Sequence, residues 1–401
     1  MTLRAAGHTW RLSCGDQAIE HHLPESFARL GARRALVITS PSIASRTGTI
    51  ARITAALGPA CAGVFAGIAK DSPYASVCAA RDAASAAGAD LLIAVGGGSV
   101  IVAVRAVAIF LAEADDPLRL MTQYPEGKPA YSPRLNAAKL PIINIPTTPT
   151  SARNRAGTGL ANPALDHRME FFDPKTRPQA ILLDTGALLA TPPSVLRSTA
   201  TTVFATTLAA MAQTELNLLA EGDRDHAFKL ANRAYRRLPN SPDDPGLRLD
   251  LAIAAFLQNR AEDDGAPRFR ANPFAGNYAV STALHVQYPH VGQGESTSVL
   301  HAAGIRIARQ IDPSAARQVA RALDVWQPGM DPRLAALAAA DALESLYTRA
   351  GVPTRLRALD IPHADLPKIA AATLKNFNAN AGARSPDTQI AAALRLLEAA
   401  Y

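Results

Sequence analysis

Leu91-Leu92-Ile93-Ala94-Val95-Gly96-Gly97-Gly98-Ser99-Val100 decides the fold. The apolar run Leu91 to Val95 predicts a strand, the three glycines a tight turn, and Val100 to Leu111 a helix starting where the turn ends. Glycine lets the chain turn sharply and lets an anion approach the backbone closely. A helix start adds unpaired amides and the positive end of the helix dipole. The stretch therefore suits a phosphate-bearing cofactor, the plainer alternative being an ordinary strand-to-helix turn.

On either side of it the first half alternates. Arg34 to Ile38 with Thr39, Leu140 to Ile145, and Ala180 to Leu183 ending at Asp184 read as further strands, and Tyr74 to Ala86 as an amphipathic helix. Strands separated by helical stretches predict an α/β domain with a parallel sheet and helices on its faces. The insert Glu113 to Lys139, rich in Pro and charge, reads as a surface excursion. After Thr191-Pro192-Pro193 the pattern turns to Ala- and Leu-rich helical runs: Val195 to Leu219, Leu247 to Arg260, Tyr278 to Val286, Ala302 to Leu323, Pro332 to Ala350 and Thr388 to Tyr401. These predict an all-α second domain. The expected division is 1–188 and 189–401, with the site in a cleft between the halves.

With 401 residues the chain exceeds what one core usually fills, which agrees with two domains. No uncharged apolar stretch reaches the length of a membrane span, and Met1 to Asp16 lacks the apolar block of a secretory signal. A soluble cytoplasmic protein that uses no membrane is expected. Cys14, Cys61 and Cys78 match no metal-ligand spacing and read as reduced, mostly buried thiols. The net charge is +7, but the 41 basic residues are scattered among 34 acids, with no basic-aromatic stripe. No nucleic-acid partner is expected, and an anionic cofactor or substrate accounts for the basic balance equally well.

Ala87-Gly88-Ala89-Asp90 before the glycine strand, Ile145-Pro146-Thr147-Thr148, the strand Ala180 to Asp184 and Gly351-Val352-Pro353-Thr354-Arg355-Leu356 together resemble the iron-containing alcohol dehydrogenase superfamily. Its maleylacetate reductase branch is the one this chain is closest to in style. The resemblance runs from about Arg34 to Tyr401 and implies a nucleotide-binding domain, a helical domain and hydride transfer from NADPH or NADH. It also implies a homodimer. Carried over by motif, Gly96, Gly97, Gly98 and Ser99 hold the cofactor pyrophosphate, and Thr147 and Thr148 border the nicotinamide. Ser40 stands where many relatives place an acid on the adenosine ribose; its lack of charge would admit the 2′-phosphate of NADPH, or else Ser40 merely caps a turn.

The departures concern the metal. Metal-dependent relatives carry an acid three residues after the glycine turn, where this chain has Val102. They place an Asp and, four residues on, a His on one helix face; here Phe204 and Leu208 fall at those positions, and Phe204 is assigned to the substrate. In the later His-x-x-x-His helix Ser281 replaces the ligand, and His285 matches the second histidine, which in relatives lies near the substrate. No metal of the family type is expected, although His285, His290, Glu295 and His301 could rebuild a site if the loop folded back. After Thr148 the chain continues Pro149-Thr150-Ser151-Ala152-Arg153-Asn154-Arg155, so Arg153 and Arg155 become candidate clamps for an acidic substrate, or else solvated loop arginines.

These residues imply a metal-independent, NAD(P)H-dependent reductase of a small carbonyl or carboxylated substrate, with His285 as proton donor and His290 in reserve. A non-redox lyase or cyclase on the same fold, or a catalytically silent nucleotide-binding homologue, are the alternatives.

Overall fold

The computed structural model describes residues 10–126, 128–266, 273–275, 277–376 and 385–401. Its strands are β1 (Arg11–Gly15), β2 (Ala35–Thr39), β3 (Cys61–Phe65), β4 (Leu91–Gly96), β5 (Ile142–Pro146), β6 (Gly157–Leu160), β7 (Met169–Phe172) and β8 (Ala180–Asp184). Six of them form one parallel sheet in the order β1-β8-β5-β4-β2-β3, while β6 and β7 pair separately as an antiparallel hairpin. The helices of this part are α1 (Ala18–Arg29), α2 (Pro41–Arg46), α3 (Thr49–Leu57), α4 (Tyr74–Ala86), α5 (Gly98–Ala112), α6 (Pro117–Leu120) and α7 (Thr185–Leu189).

Successive side chains of a strand point to opposite faces, so the sheet fills two cores. Leu36, Ile38, Leu92, Ala94 and Ile142 pack with Val77 of α4 and Val104 of α5 on one face. Val37, Ile93, Val95, Ile143, Ile145 and Leu182 pack with Ile19 and Leu23 of α1 and Ile53 of α3 on the other. A strand covered on both sides must be apolar throughout, which is why Leu91–Gly96 reads as an unbroken apolar run. The chain steps from β2 outward to β3, then crosses back to β4 and continues the other way to β5 and β8. Strand order reverses between β2 and β4, and in open α/β sheets ligands bind beyond the carboxyl ends of the strands at such a reversal.

The remaining helices are α8 (Pro193–Met211), α9 (Leu218–Arg237), α10 (Pro245–Asp263), α11 (Tyr278–Gln287), α12 (Gln293–Ile307), α13 (Pro313–Ala322), α14 (Pro332–Ala350), α15 (Leu366–Ala372) and α16 (Pro386–Ala400). Among the described residues, 10–192 with Asp243–Ala252 form one compact unit, and Pro193–Pro242 with the rest of the chain from Ile253 form the other. In the helical unit Leu284, Leu300, Leu366, Ile369 and Leu397 form a core built by α11, α12, α15 and α16. There α8 and α12 cross so closely that a Cβ on Gly294 would lie 2.1 Å from the carbonyl oxygen of Ser198.

Several sequence expectations are corrected. The run 195–219 is two helices, because α8 ends at Met211 and Asn217 caps α9 by accepting from the amides of Leu219 and Ala220. The run 302–323 is likewise broken: Asp312 caps α13 and Pro313 occupies its first turn. The insert 113–139 is not a free excursion, since Leu120, Met121 and Leu135 enter the core and Lys139 is sealed against Glu113 at 2.6 Å. The cysteines are free thiols, but Cys14 is exposed and Cys61 and Cys78 are half-buried.

Candidate functional site

At the carboxyl end of β4, Gly96 takes φ +156°, and a Cβ there would lie 2.7 Å from Cγ2 of Val100, so only glycine lets the strand run directly into α5. Gly97 precedes the helix in an extended conformation, and no side chain caps the first amides of α5. Those amides and the helix dipole favour an anion at this end. Thr147 follows on β5 and donates its amide to the carbonyl of Gly96 at 3.0 Å. A Cβ on Gly97 would meet Thr148 at 3.4 Å, and one on Gly98 would meet Oγ1 of Thr150 at 3.1 Å. The structure thus brings Gly96, Gly97, Gly98, Thr147 and Thr148 together.

Thr148 is buried, and its hydroxyl has no hydrogen-bond partner among the described residues. A buried hydroxyl without a partner signals a missing one. The glycine cradle beside it has the shape and polarity a nucleotide phosphate or ribose needs, so these residues fit such a cofactor. Ser40 begins the connection after β2, next to β4 across the strand reversal; its hydroxyl meets that of Ser42 at 3.1 Å and caps no helix amide.

Ser99 also ties a distant turn to this junction. Its hydroxyl accepts from the Asp71 amide at 3.0 Å, and its carbonyl accepts from the Ser72 hydroxyl at 2.6 Å. Asp71 and Ser72 both hold positive φ, so Ser99 fixes a strained turn against the start of α5. The Asp-Ser-Pro cluster was a legible turn signal, but nothing local indicates that the turn reaches the glycine junction.

Beyond Thr148, Thr150 caps a short 3₁₀ turn, Ser151–Asn154. Arginines hold this turn and the start of β6: Arg105 on α5 donates to the carbonyls of Ala152 and Gly157, and Arg177 donates to that of Asn154 at 3.0 Å. Arg153 is completely buried, and Nε, Nη1 and Nη2 all lack a partner among the described residues. Burial pushes its guanidinium down to about 9. Arg105 is lowered to about 9 as well, first by burial and then by the like charges of Arg155 and Arg177. Arg155 is only half-buried and takes part in other interactions.

In the helical unit, Nδ1 of His285 donates to the Val291 carbonyl at 2.9 Å and Nε2 of His290 to that of Leu359 at 3.0 Å. Phe204, expected beside the substrate, is instead a core residue. Its ring is fully buried, stacked on Tyr235 at 4.5 Å and met edge-on by Tyr347. Leu208 is fully buried too, and the Ser281 hydroxyl pairs with Ser296 at 2.7 Å. The four residues that could have rebuilt a metal site are separately engaged: Glu295 accepts from the Ser198 hydroxyl at 2.6 Å, and His301 is sealed between Tyr347 and the Phe274 carbonyl, its pKa depressed to about 4 by burial. Among the described residues no three His, Cys, Asp or Glu side chains gather as a metal site would require.

Comparison with known proteins gives concordant findings. The model of a domain described as iron-containing alcohol dehydrogenase matches residues 10–185, and that of the C-terminal part of the Fe-containing alcohol dehydrogenase family matches residues 203–401. The chain is 27% identical to maleylacetate reductase 2 of Cupriavidus pinatubonensis over 62% of its length, a match that spans 61% of that relative. It is 25% identical to lactaldehyde reductase of Escherichia coli over 88% of each chain. The solved structure of an alcohol dehydrogenase from Oenococcus oeni shares the fold with a TM-score of 0.81 at 18% identity, covering 97% of this chain and 98% of the other.

Proposed function

The chain belongs to the iron-containing alcohol dehydrogenase family, and from that premise we propose that it is an NAD(P)H-dependent reductase of a small carbonyl compound that works without a metal ion. The observation that carries the reading is the glycine junction at the strand reversal with the orphaned Thr148 hydroxyl beside it. Gly96 to Gly98 keep the approach to the α5 amides clear, and Thr148 offers a hydroxyl to an oxygen of the bound nucleotide. A bound nicotinamide supplies the hydride. Ser40, being uncharged, does not repel a 2′-phosphate, so both NADPH and NADH are accepted.

The donor set does not fit a divalent cation. Phe204 and Leu208 have no ligand atoms, and the Ser281 hydroxyl is a weak ligand already paired with Ser296. The charge that develops on the carbonyl oxygen is therefore answered by protonation. His285 is the proton donor in this reading, a role its match to the second histidine of the family helix suggests, and the hydrogen bond from Nδ1 to the Val291 carbonyl at 2.9 Å orients its ring.

Titration of metal-stripped protein with NADPH and NADH, followed by nicotinamide fluorescence, tests the reading. Saturable binding that added Zn²⁺ or Fe²⁺ leaves unchanged is expected, with cofactor oxidation when carbonyl compounds are screened. Absence of binding by either nucleotide would refute it. Replacing His285 by alanine is expected to slow turnover by about 100-fold or more while cofactor affinity stays within a factor of two or so. Undiminished turnover in that variant removes His285 from the mechanism.

A further inference from the structure

Arg105, Arg153 and Arg248 are all buried to within 1%. Two of them are supplied with acceptors by the fold. Arg105 donates to the carbonyls of Ala152 and Gly157, and Arg248 donates to those of Leu188 and Thr191 at 2.7 Å and to the Asp243 carboxylate at 2.9 Å. Among the described residues Arg153 has none for any of its three guanidinium nitrogens. Its backbone is nonetheless firmly placed, since its carbonyl accepts from Nδ2 of Asn144 at 2.7 Å and the flanking loop carbonyls are clamped by Arg105 and Arg177. Two further buried polar atoms without partners belong to the same stretch of chain, Oδ1 of Asn144 and Oγ1 of Thr148.

A buried cation is tolerated when it is paired and hydrogen-bonded, and a fixed guanidinium without an acceptor is a site awaiting an anion. We propose that Arg153 determines substrate specificity: the substrate carries an oxyanion, a carboxylate or a phosphoryl group, which this guanidinium receives. The inference rests on the reductase reading above, in which Thr148, five residues before Arg153, contacts the bound nucleotide. The two parallel N–H bonds of a guanidinium fit the paired oxygens of such a group. A neutral aldehyde or alcohol leaves the fork unpaired, and sites whose buried polar groups go unpaired reject the wrong ligand strongly. Arg155 is the poorer choice, being half-buried and already engaged.

Thermal unfolding of the full chain saturated with NADPH provides the test, with succinate, neutral succinamide and inorganic phosphate as probes on wild type, Arg153→Met, Arg153→Lys and Arg155→Met. Succinate or phosphate is expected to raise the unfolding temperature of wild type and Arg155→Met, to raise it less in Arg153→Lys, and to leave Arg153→Met unchanged. Succinamide should stabilise none of them. Without any probe, Arg153→Met should be at least as stable as wild type, because a partnerless charge has been removed; a purely structural arginine would give the opposite. Equal stabilisation of Arg153→Met and wild type, or none in wild type, overturns the proposal. In a parallel series without NADPH, stabilisation by phosphate that is lost once NADPH is added assigns the guanidinium to the cofactor and overturns the substrate role. Cofactor affinity is read separately: failure to bind NADPH sinks the reductase reading, whereas intact NADPH binding with no anion effect sinks the Arg153 assignment alone. Should Arg153→Met not fold, the graded response of Arg153→Lys decides.

Discussion

Gly294→Ala is expected to lower the unfolding temperature of the helical unit by about 6–12 °C. The added Cβ would sit 2.1 Å from the Ser198 carbonyl oxygen and 2.6 Å from its carbonyl carbon and Cα, all backbone atoms of α8 that no rotamer change can move. Overpacking of this kind costs about 3 kcal/mol at the upper end of its usual range, and each kcal/mol shifts a unit of this size by about 2–4 °C. Alanine's better helix propensity returns at most about 1 kcal/mol. Gly292→Ala is the internal control. Its Cβ would meet the carboxylate tip of Glu295 at 2.2 Å and the Ser198 hydroxyl at 2.8 Å, which are ends of side chains and can swing away. Thermal unfolding of the two variants should therefore differ clearly, and equal stabilities would mean that α8 and α12 do not cross at Gly294.

Gly97→Val should weaken nucleotide binding by about 100-fold or more, a loss of about 2.7 kcal/mol, with little change in stability. The backbone at Gly97 has φ −78° and ψ −169°, open to any residue, and a Cβ would find Thr148 at an ordinary 3.4 Å. The fold accepts the side chain, but the added methyl groups take the space beside the α5 amides that an anion requires. Gly96 offers no such separation, because its positive φ and the 2.7 Å approach to Val100 make any replacement there a folding defect. Nicotinamide fluorescence titration of Gly97→Val, with circular dichroism as the folding control, reads both quantities. Unaltered affinity would remove the glycine turn from the cofactor site.

Much of the architecture was legible because the signals are local. Tyr74–Ala86 and Pro332–Ala350 have the boundaries their periodicity predicts, and β4 runs one residue past the predicted Val95, into the first glycine. The strands β1 and β3 were not legible: they are the two edges of the sheet, only partly buried, and Arg11–Gly15 and Cys61–Phe65 carry no sustained apolar run. Helix breaks inside the Ala-rich half were hidden for the converse reason, since alanine fits a helix interior and a helix end alike. The candidate site divides in the same way. The glycine junction is a property of neighbours in sequence, whereas the Asp71–Ser72 turn joins it from 27 and 28 residues away.

The sequence by itself determined the parallel sheet, the helical second half and the glycine turn at the start of α5, because periodicity, apolar runs and glycine act over a few residues. Only the tertiary structure decided what each polar or aromatic candidate became. Arg105 is answered by carbonyls 47 and 52 residues distant, Phe204 is closed in by Tyr235 and Tyr347, and Arg153 is left with no acceptor among the described residues, two positions before a half-buried Arg155. Whether a buried group finds a partner depends on residues far along the chain, and that is settled only when packing brings them into reach.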